Sequence, residues 1–325
     1  MMGRPAIPSA CRGIEDSMSA FRIAIVGYGK IAGDEHRPAI DRNGDFELAA
    51  IVTKGTAPEG IPVFSDLSGL FKDGPEVDCV ALCVPTAARF ALAAEALDAG
   101  KHVLLEKPPA ARLEEVDTLR QKAAAKGLSL FAAWHSRFAP GVATARDLLS
   151  DARIRSVRLT WKEDVRRWHP DQSWIFEPES LGVFDMGING LSLASAVLPG
   201  SFAVQGARLA YPENRRVPVT AELDIAMEGC DAFTAAFDWN HEGADDKALE
   251  VETDRGMLLL DRSGERLAFN GALLLDRRQR EYEAVYGRFA ALIGSGEGDI
   301  DAIPLRHVEE AFSTAVRKTT EPFFC

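Results

Sequence analysis

Cysteine is scarce in this sequence, and its few copies are not arranged to bind a metal. Five cysteines occur among 325 residues, at positions 11, 79, 83, 230 and 325. They form neither a metal-ligand pattern nor a paired framework, and the two in VDCVALCV lie in an apolar stretch typical of a buried strand. We therefore expect no metal centre and a reducing, cytoplasmic location.

Long apolar runs and an excess of basic residues are also missing. No uninterrupted apolar run approaches the ~20 residues that span a bilayer. Lysine and arginine number 37 against 49 acidic residues, which gives a net charge of −12. This charge argues against binding to nucleic acids or anionic membranes, because both need a basic surface. We expect a small molecule as the partner, with no nucleic acid and no membrane.

The N-terminal segment, MMGRPAIPSACRGIEDSMS, lacks the continuous apolar stretch of a signal peptide. We predict that residues 1–20 are a disordered extension. The alternative is that the true start of the chain is Met18.

A regular pattern begins at Phe21. The runs FRIAIVGYG, FELAAIVT, VDCVALCV, KHVLLEK and LSLFAAW are short and nearly continuously apolar, and helix-like stretches such as ARFALAAEALDAG separate them. Strands without polar alternation are buried on both faces, as in a parallel sheet covered by helices. The sequence thus predicts an α/β fold in which residues 21–138 form a doubly wound, dinucleotide-binding (Rossmann) domain.

The pattern changes after about residue 138. VTAELDIAM alternates apolar and polar residues with period two, and DAFTAAFDW, ALEVETDRGMLLLDRSGERLAF and GALLLD follow with turn signals between them. This alternation predicts a mostly antiparallel sheet. Residues 139–325 are therefore expected to form an α+β domain for substrate binding and oligomerisation, closed by two helices, EYEAVYGRFAALIG and LRHVEEAFSTAVRKTT.

A glycine-rich turn follows the first strand. IAIVGYGKIA contains Gly27, Gly29 and Ala32 in the pattern G-x-G-x-x-A, directly after a strand and at the start of a helix. The first glycine permits the tight turn, and the second lets a pyrophosphate approach the backbone at the helix N-terminus. We predict a dinucleotide site that includes Lys30 and Ile31; a purely structural turn is the alternative.

The residues at the end of the second strand determine whether the site prefers NAD or NADP. An acidic residue there would bind the ribose 2′-hydroxyl of NAD and repel the phosphate of NADP. This chain instead has Thr53 and Lys54 in AIVTKGT. We expect both residues to contact the cofactor, with NADP slightly preferred over NAD.

Three motifs together carry a family resemblance. They are the G-x-G-x-x-A turn, Glu106-Lys107-Pro108 after the fifth strand, and D-x-G-x-N at residues 185–189. From Phe21 to the C-terminus the chain resembles the glucose–fructose oxidoreductase/inositol dehydrogenase (Gfo/Idh/MocA) family. Stretches such as WHSRFAP and GVFDMGIN resemble its bacterial sugar 1-dehydrogenases, which oxidise the anomeric hydroxyl of D-galactose or L-arabinose to a lactone with NAD(P)+.

The resemblance implies the catalytic residues. Lys107 would lie beside the nicotinamide and the substrate hydroxyl, with Pro108 in a constrained turn and Glu106 among the cofactor contacts. Much of the family has histidine at position 189, whereas this chain has Asn189, which cannot accept a proton. Lys107 is then the favoured acid/base, and Asp185 either tunes its charge or takes the proton itself.

The spacing of Asp185 and Asn189 places them on one helix face, where both can reach one sugar hydroxyl. The alternative for Asp185 is a helix cap.

Sugar recognition needs polar groups and aromatic faces. We select His135, Glu163 and Trp168 as substrate residues, together with Asp185 and Asn189. We assign Trp161 to the core and His36 to helix packing. Arg137, Arg166 and Arg167 are candidates for ion pairs, and Trp239 is left open between a sugar contact and a subunit contact.

The sequence predicts an aldose 1-dehydrogenase, and two alternatives stay open. One is another dehydrogenase of the same family, acting on an inositol, a sugar nucleotide or a dihydrodiol. The other is a non-catalytic sugar or NADP sensor, against which the titratable pair Lys107 and Asp185 argues. In the family that the chain resembles, the open sheet face of the second domain is often an oligomer interface, so the resemblance implies a homo-oligomer, a dimer.

Overall fold

The computed structural model describes residues 20–170, 172–278 and 280–324. The predicted N-terminal extension, apart from Ala20, and the alternative start at Met18 lie outside the described residues. Two sheets organise the rest of the chain.

The first sheet has six strands in the order β3-β2-β1-β4-β5-β6, and every neighbouring pair is parallel. Its strands are β1 (Phe21–Val26), β2 (Phe46–Val52), β3 (Val63–Phe64), β4 (Cys79–Leu82), β5 (His102–Glu106) and β6 (Leu130–Ala133). All residues of β4 and β6 are buried, as the continuous apolar runs predict. The predicted doubly wound parallel sheet is confirmed.

Nine α-helices lie among the described residues: α1 (Arg37–Arg42), α2 (Leu67–Asp73), α3 (Thr86–Asp98), α4 (Leu113–Lys126), α5 (Val142–Leu149), α6 (Val165–Trp168), α7 (Phe184–Val197), α8 (Glu281–Ser295) and α9 (Ile303–Ser313). A π-helix, Ala32–His36, runs directly into α1. Short 3-10 turns cover His135–Phe138, Ser173–Phe176, Pro178–Ser180 and Arg262–Gly264.

The second sheet has nine strands in the order β14-β13-β12-β11-β7-β10-β9-β8-β15. They are β7 (Ile154–Lys162), β8 (Phe202–Pro212), β9 (Thr220–Met227), β10 (Ala232–Asp238), β11 (Asp246–Thr253), β12 (Gly256–Asp261), β13 (Arg266–Phe269), β14 (Ala272–Asp276) and β15 (Ala315–Thr320). The sheet is antiparallel except at β7–β10 and β8–β15. Buried and exposed residues alternate along β7, β8 and β9, and the predicted mostly antiparallel sheet is confirmed.

The end of the chain differs from the prediction. LRHVEEAFSTAVRKTT forms α9 only as far as Ser313, and Ala315–Thr320 then pair with β8 as an edge strand. This segment contains Val316, Thr319 and Thr320, whose β-branched side chains favour a strand over a helix. The free edge of β8 supplies the hydrogen bonds that the predicted helix would have made internally.

Helix α8 packs against the first sheet, although in sequence it follows all strands of the second sheet except β15. Its apolar side, which includes Tyr282, Tyr286 and Phe289, packs with residues of β1, β2 and β6 in one buried cluster. Phe46 and Phe289 stack with ring centroids 5.8 Å apart. The predicted boundary at residue 138 stays a prediction, and α8 lies on the far side of that boundary in sequence.

In the part of the chain that the structure describes, one helical segment is long and apolar enough to cross a membrane, Pro178–Val197. Its most apolar window has a mean hydropathy of 1.2 and is 83% buried inside the protein. The same part of the chain contains no group of three or more His, Cys, Asp or Glu side chains that could hold a metal ion.

Candidate active site

The glycine-rich turn after β1 forms an open cradle. Gly27 has φ +86°, and a Cβ there would stand 2.8 Å from Val84 Cγ1 and 3.0 Å from the backbone of Cys83, so only glycine fits. A Cβ on Gly29 would meet no atom within 4 Å. The backbone at Gly29 therefore faces free space at the start of a helix, which suits a pyrophosphate.

The other predicted residues of this turn lie at its rim. Lys30 is about half exposed and pairs with Asp34, one helical turn away. Ile31 is also exposed. Both are accessible to a bound cofactor, and their predicted contacts stay predictions.

The end of β2 carries the residues expected to choose between the two cofactors. The Thr53 hydroxyl accepts a hydrogen bond from the Gly55 amide at 3.0 Å, and Lys54 is exposed. A carboxylate that the sequence pattern did not reveal lies near Lys54. It belongs to Asp66, whose pKa is lowered by the Gly69 amide first, then by Ser65 and Lys54. One Asp66 oxygen caps α2 by accepting from the Gly69 amide, and the other accepts from the Ser65 hydroxyl, so both oxygens have protein partners.

The structure brings Lys107 and Asp185 together. Lys107 Nζ donates to the backbone carbonyl of Asp185 at 2.8 Å and to its carboxylate Oδ1 at 3.1 Å. Their side chains are 14% and 10% exposed. Lys107 comes from the carboxyl end of β5 in the first sheet, and Asp185 comes from the first turn of α7. The pair therefore connects the first sheet to α7. It lies at the carboxyl ends of the parallel strands, where open α/β folds bind ligands.

Asp185 is not a helix cap. The cap of α7 is Val183, which makes no side-chain capping bond. The glycines of this segment allow close packing instead: a Cβ on Gly187 would meet the Phe237 ring at 2.6 Å, and one on Gly190 would meet Trp161 at 2.8 Å. Helix α7 therefore lies directly on the second sheet, and Trp161 is in the core as predicted.

Asn189 lies one turn beyond Asp185 and is half-buried. Its amide has no hydrogen-bond partner among the residues that the structure describes. It is thus available for a ligand, and its predicted role in polarising a sugar hydroxyl stays a prediction.

His169 is a site residue that our selection from the sequence left out. Its Nε2 lies 3.7 Å from Asp185 Oδ2, and its Nδ1 lies 3.2 Å from Gln172 Oε1. The available signal was its place in WKEDVRRWHP beside Trp168, but nothing in the spacing ranks one polar residue of that stretch above another.

Glu163 and Trp168 meet a lysine from another strand. Lys247 Nζ contacts Glu163 Oε2 at 2.6 Å and Asp245 at 3.0 Å, and stands 4.7 Å from the centre of the Trp168 ring. Glu163 is buried, whereas Trp168 is 39% exposed and hydrogen-bonds Asp245. Their predicted sugar contacts stay predictions, and Lys247 is a neighbour that the sequence did not indicate.

His135 lies close enough to Glu106 and Lys107 for their charges to act on it. It pairs with Glu281, and its ring stacks on Tyr282 with centroids 5.6 Å apart. Burial disfavours the charged ring, but the carboxylates of Glu281 and Glu106 together raise the pKa of His135. Its predicted sugar contact also stays a prediction.

Glu106 is enclosed by protein groups. Its carboxylate accepts from Tyr282 Oη at 2.6 Å and the Lys107 amide at 3.0 Å, and pairs with His36 Nε2 at 2.9 Å. Only 4% of the residue is exposed. Both carboxylate oxygens already have protein partners, and the predicted contact between Glu106 and the cofactor stays a prediction. His36 is buried, as we expected for a residue that packs a helix.

The remaining candidates hold the structure around the site. Arg137 pairs with Asp301, Arg166 with Asp164 and Arg167 with Asp245, so the predicted ion pairs are confirmed. Trp239 is fully buried, and its Nε1 lacks a partner among the described residues. Because none of its surface is exposed, it makes neither the sugar contact nor the subunit contact that the sequence left open. Arg89, which the sequence did not indicate, donates to the carbonyls of Pro108 and Val84.

The comparisons with known proteins define the class. Residues 21–133 match the family described as GFO_IDH_MocA, "Oxidoreductase family, NAD-binding Rossmann fold". A relative that is 40% identical to this chain also aligns with it over the relative's full length. The chain therefore belongs to the Gfo/Idh/MocA oxidoreductase family. The predicted family, the fold class and the class of enzyme, a dinucleotide-dependent oxidoreductase, are confirmed.

The full-length relative is galactose 1-dehydrogenase of Pseudomonas fluorescens, with 40% identity over 94% of this chain and 100% of that protein. The crystal structure of a D-galactose-1-dehydrogenase protein from Rhizobium etli is also similar, with a TM-score of 0.90, 42% identity and coverage of 95% and 99% of the two chains. The scyllo-inositol 2-dehydrogenase (NADP(+)) IolW of Bacillus subtilis matches at 26% identity over 47% of this chain and 44% of its own.

A more distant structure shares the fold alone. The 3-ketoreductase KijD10 from Actinomadura kijaniata, solved with TDP-benzene and NADP, superposes with a TM-score of 0.79 at 21% identity, over 93% and 99% of the two chains.

The two glycines of the turn should differ in what they do. Gly27→Ala is expected to lower the free energy of unfolding by at least about 1–2 kcal/mol, because alanine at positive φ is strained and its Cβ would clash. Gly29→Ala should fold normally but weaken dinucleotide binding by roughly tenfold, about 1.4 kcal/mol. Urea unfolding without nucleotide and titration calorimetry with NADP measure the two effects. Equal stability loss in both variants would contradict the open cradle at Gly29.

The buried pair of Glu106 and His36 should make stability depend on pH. Burial opposes charge on both groups, but the Cys83 sulfur and Glu106 raise the pKa of His36 to about 10. His36 and Tyr282 likewise lower the pKa of Glu106 to about 2.

The stabilisation is lost as pH falls from 4.5, the ordinary pKa of glutamate, toward 2, and as pH rises from 6.5, that of histidine, toward 10. The difference in unfolding free energy between the wild type and His36→Gln should therefore be largest between these two ordinary values. A difference that does not change with pH would show that the pair is not ionised.

Proposed function

We propose that this chain oxidises the anomeric C1 hydroxyl of an aldopyranose, D-galactose above all, to the aldonolactone with NAD(P)+. The single observation that carries the proposal is the Lys107–Asp185 pair, at the strand edge beside the glycine cradle, in a chain of which 94% is similar to galactose 1-dehydrogenase. In the balanced reaction the aldose loses a hydride and a proton and NAD(P)+ is reduced.

The glycine cradle and the exposed Lys54 fit a dinucleotide. When bound, that group supplies the hydride acceptor. Gly29 gives the pyrophosphate room, and Thr53 with Lys54 offers a hydroxyl and a positive charge to a 2′-phosphate. We propose that NADP is preferred and NAD tolerated.

Proton transfer falls to the chain's own residues. Asn189 orients and polarises the C1 oxygen, and its free amide supports this role. Either Lys107 takes the hydroxyl proton, with Asp185 stabilising the resulting charge, or Asp185 takes it directly. In both cases His169, 3.7 Å from the Asp185 carboxylate, is placed to carry the proton away from the pair.

Sugar recognition is proposed for the half-exposed Trp168 ring, for Glu163 through its ion pair with Lys247, and for His135. D-Galactose and L-arabinose have the same ring configuration and differ by one hydroxymethyl group. A site open beside C5 loses little when that group is missing, so we propose L-arabinose as a second substrate. The homodimer stays a prediction, which the molar mass in solution tests.

Turnover with a panel of polyols tests the function. We expect D-galactose and L-arabinose to reduce NADP+ faster than NAD+ at equal concentration, as followed by absorbance, while myo-inositol gives no signal. Lys107→Met should lower kcat at least about 100-fold, since positioned proton transfer contributes roughly that much. The exposed Lys72→Met variant is the matched control and should behave as the wild type.

Turnover of myo-inositol and of no aldose would show that the protein is a dehydrogenase of the same family with a different substrate. Tight NADP binding without turnover of any polyol would favour the sensor.

A further inference from the structure

The carboxylate of Glu106 joins three separate parts of the chain. Its Oε1 meets His36 and Tyr282, and its Oε2 meets the Lys107 amide. His36 is the last residue of the π-helix that follows the glycine cradle, and Tyr282 lies in the first turn of α8. One buried group is therefore in contact with the helix that opens on the cofactor cradle, with α8, and with the backbone of the catalytic lysine.

The geometry of His36 depends on a local irregularity. The π-helix Ala32–His36 adds a residue to one turn, and such turns occur often at functional sites. His36 is fully buried, with Nε2 on Glu106 and Nδ1 2.8 Å from Tyr286 Oη. Both ring nitrogens thus have partners, and it is the Nε2 contact that holds the Glu106 carboxylate.

The surroundings keep this carboxylate charged. The pKa of Glu106 is lowered and that of His36 is raised, so the two form an ion pair at neutral pH. A buried ion pair resists rearrangement, because separating it leaves an uncompensated charge. Since Glu106 is buried, it acts on the reaction through Lys107, whose amide it holds.

Resting on the proposed function, we propose that Glu106 is a positioning residue: clamped by His36 and Tyr282, it fixes the Lys107 backbone so that Nζ meets Asp185. A misplacement of about 1 Å at a reacting group can cost roughly 100-fold in rate. The same clamp ties the catalytic lysine to the helix that opens on the dinucleotide cradle.

Glu106→Gln tests the clamp with little change in shape. Glutamine has one acceptor oxygen, so its NH2 group must face either the Lys107 amide, donor against donor, or the His36–Tyr282 pair. We expect kcat to fall roughly 10- to 100-fold, while KM for D-galactose and the dissociation constant of NADP change less than about threefold. A purely structural role would instead lower the folded fraction and weaken nucleotide binding together.

Tyr286→Phe is the matched control. It removes a buried hydroxyl from the same helix and from the other nitrogen of His36, but it does not touch Glu106. It should lower stability and leave kcat within about twofold. Tyr282→Phe removes one donor to Glu106 and keeps the ion pair, so we expect an intermediate loss of kcat; this variant carries the test if Glu106→Gln does not fold.

A second measurement needs no turnover. Acetylation of Lys107 by acetic anhydride in the sugar-free protein, quantified by mass spectrometry against the exposed Lys72, should be several-fold faster in Glu106→Gln because Nζ has lost Asp185. It should be unchanged in Tyr286→Phe.

Unchanged kcat and acetylation in folded Glu106→Gln would overturn the proposal, as would equal changes in both variants. Faster acetylation of Lys107 in a protein whose wild type oxidises no sugar would uphold the clamp and reject the proposed function.

Discussion

The contact between Lys107 and Asp185 is the interaction on which the site depends. It joins the end of a strand in the first sheet to the start of a helix that lies on the second. That helix reaches its position because Gly187 and Gly190 let it approach Phe237 and Trp161 more closely than any larger residue would allow. Gly187 of the D-x-G-x-N motif and the adjacent Gly190 therefore serve the packing, whereas Asp185 and Asn189 are the residues for which we propose a role in the chemistry.

Charges around this contact occur in buried or half-buried pairs. Glu106 faces His36, Glu163 faces Lys247 and His135 faces Glu281. Removing a single charge from water is costly, and each pair offsets part of that cost while holding its members in one geometry. The result is a pre-organised site in which the Asn189 amide has no partner among the residues that the structure describes and the Trp168 ring is exposed.

The sequence predicted those parts of the site whose residues lie close together along the chain. A glycine turn after an apolar strand, a lysine at a strand end and an aspartate four residues before an asparagine are all visible in a short window of sequence. The partners of these residues are not, because Lys247, Glu281 and Tyr282 come from elements far along the chain. Helix α8 shows the same limit: its apolar side was evident, but not that it would cover the first sheet. The last strand was missed because a short segment with mixed propensities takes its structure from the free edge of β8.

The most direct test of the account is the fate of the hydrogen on C1. D-Galactose deuterated at C1 would be incubated with the protein and NADP+, and the products examined by mass spectrometry and NMR. The account predicts one deuterium in the reduced nucleotide and a lactone, or the acid formed from it, without deuterium at C1. Reduced nucleotide without deuterium would contradict it, because the hydride would then have left another carbon.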